Sequence, residues 1–263
     1  MKRLTTAIFL GLLAAFWLAS ASFAEEKTAR QIIDEMVAGL DQEDMLMQIK
    51  MVLKSKSGQT RERMLRSRMQ GETGKGRSVI TFEEPADVKG TKFLIIENEG
   101  RDDDQLLYLP ALKKVRRIAG SQRSGSFMGT DFSYYDLSSH EVDDGTHTRQ
   151  GDETLGGVDC YVVVTVPKDS EESNYSKVKY WVRKDNMVVG KAEFYDLDGK
   201  LLKTMETATY EKYKGDLWLA RHLEMRNEQK GTATAIDIMK YKADASIPDD
   251  YFSERFLKDE SQL

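Results

Sequence analysis

The residues of this chain best suited to chemistry are three histidines, one cysteine and a serine that lies close to two glycines. His140 and His147 lie in a polar stretch where they could chelate an ion, although such stretches are far more often solvated loops. His222 lies in a predicted strand. None of the three has the spacing of metal ligands or of a nucleophile and its base, so neither a metal site nor a cofactor is predicted.

Other motifs resemble active sites only in part. Residues 125–129 (Gly-Ser-Phe-Met-Gly) contain a serine, but a serine nucleophile elbow needs Gly-x-Ser-x-Gly between a strand and a helix. Cys160 lies in an apolar run typical of a buried strand, which predicts an unreactive core thiol. Residues 196–199 (Asp-Leu-Asp-Gly) begin like a calcium loop but lack its later glycine and glutamate, so a hairpin turn is predicted. A hydrolase is therefore the least favoured function.

The first 24 residues have the pattern of an export signal. Lys2 and Arg3 precede an apolar run, and the small residues Ser22 and Ala24 fit a cleavage site after Ala24. The apolar run is shorter than the roughly 20 residues of a membrane span. An uncleaved N-terminal anchor is the alternative. Residues 25–263 are predicted to form one domain, because no Pro-, Gly- or Ser-rich linker divides them.

The charge of the chain argues against nucleic acid as its partner. The net charge is −5, and removal of Lys2 and Arg3 with the export signal brings the mature chain near −7. Binding a nucleic-acid backbone needs clustered positive charge.

Most of the remaining sequence predicts strands. An amphipathic helix with a capping box at Thr28–Gln31 opens the mature chain. Strand patterns follow at 45–53, 64–69, 78–82, 92–97, 105–109, 114–118, 158–166, 176–183, 187–195, 201–213, 217–228 and 232–241. Short turns between many of them predict one antiparallel meander of about eleven strands, strongly curved or partly closed. Residues 120–137 are predicted to form a long loop that ends in a short helix near Phe132–Leu137, and residues 248–257 a last helical turn.

Methionines recur on the predicted strands. Met45, Met47 and Met51 share one face of the first strand, and further strands carry Met64, Met69, Met205, Met225 and Met239. Methionine-rich surfaces accept varied apolar ligands. An ordinary core gives the same pattern, and that alternative is favoured when the pattern is taken alone.

A run of basic residues stands out in this acidic chain. Lys113, Lys114, Arg116 and Arg117 follow one another closely. Such a run fits an acidic partner or a lipid headgroup. An exposed strand face balanced by nearby acids is an equally good explanation.

Two stretches carry a family resemblance. Residues 107–118 (Leu-Tyr-Leu-Pro-Ala-Leu-Lys-Lys-Val-Arg-Arg-Ile) and 126–134 (Ser-Phe-Met-Gly-Thr-Asp-Phe-Ser-Tyr) resemble a signature of the LolA-like outer membrane lipoprotein-sorting proteins. The opening helix and residues 84–91 and 247–256 extend the similarity. The resemblance implies a mainly β (α+β) fold, an unclosed antiparallel β-barrel of about eleven strands with helices capping its concave face.

The same resemblance implies a non-enzymatic, monomeric periplasmic carrier of lipoprotein acyl chains or other lipids. The alternative is an accessory or sensory subunit that docks on an inner-membrane transporter of the resistance-nodulation-division (RND) type. We expect the loop of residues 120–137 to act as a lid or docking element, and the basic run to contact a partner or headgroup. The predicted lipid-binding residues are Met45, Met47, Ile49, Met51, Trp181 and Phe194, and the predicted loop residues are Ser126, Phe127, Met128 and Phe132.

Overall fold

A computed structural model describes residues 26–38, 44–71, 75–138 and 142–262. The predicted export signal and His140 lie outside the described residues. Within them, one antiparallel sheet contains thirteen strands. The strands are β1 Met45–Lys54, β2 Thr60–Gln70, β3 Arg77–Glu84, β4 Lys92–Ile96, β5 Asp104–Leu109, β6 Lys114–Ile118, β7 Gly145–Leu155, β8 Val158–Pro167, β9 Lys177–Arg183, β10 Val189–Tyr195, β11 Leu201–Lys214, β12 Leu217–Asn227 and β13 Thr232–Ala243.

Short helices accompany the sheet. The α-helices are α1 Ala29–Ala38, α2 Ser170–Ser173 and α3 Glu254–Lys258. Single 3₁₀ turns cover Pro110–Leu112, Gly120–Ser124, Tyr135–Leu137, Val142–Asp144, Asp249–Phe252 and Glu260–Gln262. None of the helices in the described ranges is both long and apolar enough to cross a bilayer.

The sheet does not close into a barrel, because β6 and β7, which follow each other in the chain, do not pair with each other. β1 pairs with β13, and the meander continues from this seam through β2 to β6 on one side and through β12 to β7 on the other. β6 and β7 are therefore the two edges of the sheet. The link between them has to cross from one edge to the other, and we call its residues 119–138 the connector.

The two faces of the sheet bury different segments, since side chains alternate along every strand. The connector and α1 cover one face, which we call the inner face. The opposite, outer face buries Val79 and Leu94 under the C-terminal segment, where Phe252 and Phe256 pack against them. Both faces of β3 and β4 are therefore covered.

The capping box, the hairpin turn and the short helix predicted from sequence are all present in the structure. The backbone N–H of Thr28 donates to the side chain of Gln31 at 2.8 Å, and the Gln31 N–H donates to Thr28 Oγ1 at 3.2 Å, which completes the capping box. Residues 196–199 form the turn between β10 and β11, where Gly199 has a φ of 78° that side chains disfavour. The predicted short helix in the connector is the 3₁₀ turn at Tyr135–Leu137.

The mainly β, unclosed barrel is confirmed, but it has more strands than the predicted eleven. The strand missed entirely is β7, because its residues are mostly polar and none of them is fully buried, so the sequence lacks apolar alternation. His147 lies in this strand and not in a loop as predicted. β7 is an edge strand, and such a strand can be polar because one side of it faces solvent.

Candidate functional site

A cavity of about 500 Å³ lies between the inner face of the sheet, α1 and the connector. Volumes of roughly 300–1,000 Å³ are typical of sites that enclose small-molecule ligands. The strands β9 to β13 supply its apolar floor. The floor residues include Val178, Tyr180, Val189, Phe194, Met205, Leu223, Met225 and Ile236.

Strand register explains why these residues meet. Phe194 pairs with Val178, Met205 pairs with Met225, and Leu223 pairs with Ile236. Cross-strand partners project from the same face of a sheet. Five consecutive strands therefore contribute to one continuous apolar surface.

Helix α1 forms one wall of the cavity. Ile32 is fully buried and packs against Val163 and Val182 on the inner face of β8 and β9. This packing turns Ile33, Met36 and Val37 toward the cavity, because positions three and four apart lie on the same helical face.

The connector fills the other half of the inner face. The Phe127 ring lies 5.8 Å from Phe82, 5.2 Å from Phe93 and 5.6 Å from Tyr134, measured between ring centroids. Only 1% of Phe127 is exposed. Further along, Phe132, Tyr135 and Leu137 form the second wall of the cavity. The connector thus packs on one half of the inner face and leaves the cavity mainly over the other half, with Met69, Ser78 and Ile95 reaching it from β2, β3 and β4.

Polar contacts anchor the connector to strands far away in sequence. Arg63 on β2 donates to the carbonyl oxygen of Met128 at 2.8 Å. Asp131 accepts from the hydroxyls of Thr232 at 2.5 Å and Thr234 at 2.7 Å, both on β13. Gln105 donates to the Tyr134 carbonyl at 3.1 Å. These contacts fix the connector against the sheet.

One charged pair lies beside the cavity. Lys203 Nζ donates to Asp136 Oδ2 at 2.9 Å and to the Tyr175 hydroxyl at 2.8 Å, and that hydroxyl donates to Asp136 Oδ1 at 2.7 Å. The side chains of Lys203 and Asp136 are only 9% and 5% exposed. Burial, with Asp136 nearby, raises the pKa of Tyr175 well above its usual value, so the phenol stays protonated. At this place the cavity wall therefore presents the neutral phenol of Tyr175 beside an ion pair whose two charges cancel.

The predicted lipid-binding residues divide between three places. Phe194 lines the cavity. Met45, Met47 and Met51 are buried on the inner face of β1, together with the partly buried Ile49; Met51 and Ile49 pack in the half filled by the connector. None of these four residues lines the cavity.

Trp181 lies on the outer face, opposite the cavity. It packs against Cys160 and Val162, and its Nε1 donates to Glu153 at 2.8 Å. Trp181 is one residue beyond the inner-face Tyr180, so strand alternation turns it away. Burial raises the pKa of the Cys160 thiol, as expected for an unreactive core cysteine.

The predicted loop residues lie within the connector. Ser126 bonds through its hydroxyl to the carbonyl of Thr130 at 2.6 Å, Phe127 is a core ring, and Met128 packs against the same core. Phe132 is 5% exposed and lines the cavity. The serine hydroxyl is thus occupied by a backbone carbonyl and does not face a base.

The basic run lies on β6 and the turn before it. All four side chains are exposed. Arg117 projects from the outer face and forms an ion pair with Asp104. Lys114 and Arg116 project from the inner face, opposite Leu109 and Leu107, and neither has an ion-pair partner among the residues the structure describes.

The two histidines among the described residues form hydrogen bonds within the sheet and its links. His147 Nε2 is 2.7 Å from the Val142 carbonyl and Nδ1 is 2.9 Å from the Thr165 hydroxyl, so both ring nitrogens are hydrogen-bonded. His222 bonds to Asp237 at 2.7 Å. Across the described ranges, no three His, Cys, Asp or Glu side chains are placed to hold a metal ion.

Sequence reasoning missed most of the cavity residues. Leu223, Ile236 and Val178 lie in strands that were predicted from sequence. What the sequence did not reveal is which face of the sheet borders the cavity. Asp136, Tyr175 and Lys203 gave no sequence signal, because they are separated by 28 to 67 residues along the chain.

Comparisons with known proteins agree with this architecture. Residues 74–259 match a family model whose description reads "Uncharacterized protein". An outer membrane lipoprotein-sorting protein domain from Vibrio parahaemolyticus is 34% identical, with a TM-score of 0.83, and the match covers 88% of this chain and 98% of that one. A DUF1329 family protein from Desulfovibrio piger is 31% identical, with a TM-score of 0.82 and coverage of 87% and 97%.

A more distant structure shares the fold. A LolA superfamily protein from Nitrosomonas europaea is 20% identical, with a TM-score of 0.69 and coverage of 88% of this chain and 100% of that one. No curated protein matches the sequence.

Proposed function

Because the chain belongs to the LolA-like family of outer membrane lipoprotein-sorting proteins, we propose that it is a periplasmic carrier for the acyl chain of a lipoprotein or another lipid. Membership of this family supports a location in the cell envelope, and the predicted export signal supports the periplasm. The observation that carries the proposal is the apolar cavity of about 500 Å³ on the inner face.

The size of the cavity suits one acyl chain. An apolar cavity of about 150 Å³ accepts benzene. A cavity of about 500 Å³ has room for roughly three such groups, on the order of eighteen carbon atoms.

The apolar surface supplies enough free energy without specific chemistry. Burial of each methylene contributes about 0.8 kcal/mol, so about ten methylenes contribute about 8 kcal/mol before the entropic cost of association is subtracted. Such an affinity suits a carrier, which has to release its cargo to a receiving site.

The methionines that line the cavity favour cargo of varied shape. Met36, Met69, Met205 and Met225 line the cavity. Methionine side chains are flexible and polarizable, and they adapt to different apolar surfaces. The proposed binding residues are therefore these methionines with Phe132 and Phe194, in place of the methionines of β1 and Trp181.

The connector acts in this proposal as a fixed wall of the cavity. Its anchors on β2 and β13 support that role over a lid, which was one of the two roles expected from sequence. A carrier of acyl chains needs a partner that receives its cargo. We therefore also propose that the connector docks on such a partner and that the basic run contacts a partner or a lipid headgroup.

Substitution of Met205 by Asp tests the cavity directly. A carboxylate on the floor has to be desolvated when an acyl chain enters, which costs several kcal/mol. We expect the wild-type protein, purified from periplasm without detergent, to carry lipid in native mass spectrometry, and the Met205→Asp protein to carry at least about tenfold less.

Met239→Asp is the matched control, because Met239 is 51% exposed. Both variants should keep the circular dichroism of the wild type. An empty wild-type protein that takes up no lipid from vesicles would refute the carrier. It would favour a non-catalytic accessory or sensory subunit docked on an RND-type transporter.

A further inference from the structure

The edge strand β6 is an open binding edge. β6 pairs with β5 and has no second strand neighbour among the described residues. Its outer face is covered, since Val115 packs with the C-terminal cluster and Arg117 is paired with Asp104. The free backbone groups and the inner-face side chains of β6 remain available.

The opposite edge of the sheet is protected. A bulge between Gln150 and Glu153 interrupts β7. Arg149 bonds to Asp152 at 2.9 Å and to Glu26 at 3.2 Å, which neutralises its charge within the chain. Bulges and local ion pairs of this kind discourage pairing with another strand. β6 has no bulge in its register with β5.

The charges on β6 select what can pair with it. Lys114 and Arg116 project from the same face two residues apart, about 7 Å along the strand. Lys113, in the turn before them, is exposed as well. A second copy of this chain would bring like charges together across the new pair, which is unfavourable. An acidic strand would bring carboxylates opposite both cations.

We propose that β6 binds an extended acidic segment of a partner protein by strand addition. Carboxylates at alternate positions of that segment would pair with Lys114 and Arg116, while its backbone extends the sheet. An anionic membrane is the weaker explanation, because lipid-binding clusters contain about four to eight cations, and Arg117 is both paired and on the other face. This inference does not depend on the cavity or on its cargo.

A synthetic peptide tests the inference on the full mature chain. The probe is a fluorescein-labelled peptide of about eight residues in which valine and glutamate alternate. We expect it to bind in fluorescence anisotropy at low salt, and the Lys114→Glu/Arg116→Glu variant to bind at least about tenfold more weakly. A matching peptide with N-methyl groups on alternate residues should not bind, because its backbone cannot donate to β6.

The control variant is Lys54→Glu/Lys56→Glu. Lys54 and Lys56 are exposed and two residues apart at the end of β1, so this variant has the same change in net charge at another place. It should bind the peptide like the wild type. Equal binding by all variants, or tight binding of the N-methylated peptide, would overturn strand addition. Binding of phosphatidylglycerol vesicles but not the peptide, lost in the β6 variant, would assign the patch to a membrane instead.

Discussion

Asp136 and Lys203 carry opposite charges where little water reaches them. Their side chains are 5% and 9% exposed. A buried pair of this kind adds little net stability, but removing one partner leaves the other charge without compensation. The pair joins the connector to β11, so its integrity also determines the shape of the cavity wall.

Lys203→Met should therefore destabilise the protein by about 3–5 kcal/mol in urea denaturation. The double variant Lys203→Met/Asp136→Asn should recover part of that loss, because the amide carries no charge and can still accept from Tyr175. A double variant that is at least as unstable as Lys203→Met alone would show that the lost charge pairing does not cause the destabilisation.

Glu153 and Trp181 form a second residue-scale contact, on the outer face. The hydrogen bonds from Trp181 and Lys179 hold the pKa of Glu153 below its usual 4.5. A carboxylate with a lowered folded-state pKa stabilises the fold above the unfolded-state pKa, and this contribution is lost as the pH falls through the folded-state value.

Trp181 fluorescence should report this titration. In a Trp218→Phe background we expect the emission to change with a midpoint below pH 4.5, the ordinary value for glutamate. Glu153→Gln should abolish the change and flatten the loss of stability in that acidic range. A midpoint above 4.5, or an unchanged titration in Glu153→Gln, would show that the contact is not formed.

At the scale of elements, the connector explains how an open sheet is stabilised. Its aromatic residues give the strands β2 to β5 a core that no second sheet provides. Its polar contacts with the sheet provide hydrogen-bond partners for backbone and side-chain groups that are buried where the connector crosses the inner face. The connector is therefore part of the core, although its sequence is rich in glycine and serine.

Phe127→Ala distinguishes a fixed wall from a mobile lid. Removing a fully buried ring should cost about 3–5 kcal/mol in chemical denaturation. Met128→Ala, at a half-buried neighbour, should cost less than about 2 kcal/mol. A Phe127→Ala protein with wild-type stability and faster lipid exchange would instead support the lid.

At the scale of the whole molecule, the seam between β1 and β13 joins two half-sheets. Ile236 on β13 packs against both the connector-filled cluster and the cavity cluster. The two halves thus share side chains as well as backbone pairing, and we expect them to unfold together although chains of this length often populate intermediates.

Unfolding followed by two probes tests this coupling. The tryptophans of the described residues, Trp181 and Trp218, lie in the half that contains β7 to β13, whereas circular dichroism reports on both halves. The two transitions should coincide, and Ile236→Ala should shift both together by about 2 kcal/mol. Separate transitions would show that each half folds alone.

The family and much of the fold could be read from the sequence. The family resemblance carried by residues 107–134 is confirmed, since an outer membrane lipoprotein-sorting protein domain and a DUF1329 family protein match the chain at 34% and 31% identity. The apolar strands followed from alternation, whereas β7 did not, because this edge strand is mostly polar and only half-buried on its inner side. The methionines of β1 were prominent in sequence, yet all three are buried without lining the cavity, and Met51 packs in the core that the connector fills.

The sequence by itself determined the elements other than β7, since caps, turns and alternation act between residues a few positions apart. It also determined that Trp181 and Tyr180 face opposite ways. Only the tertiary structure decided which of those faces is the inner one. That choice depends on contacts such as Asp131 with Thr234 and Asp136 with Lys203, 103 and 67 residues apart. The path of the connector between the two edges thus left the cavity mainly over β9 to β13 and filled the space next to Met51 on β1.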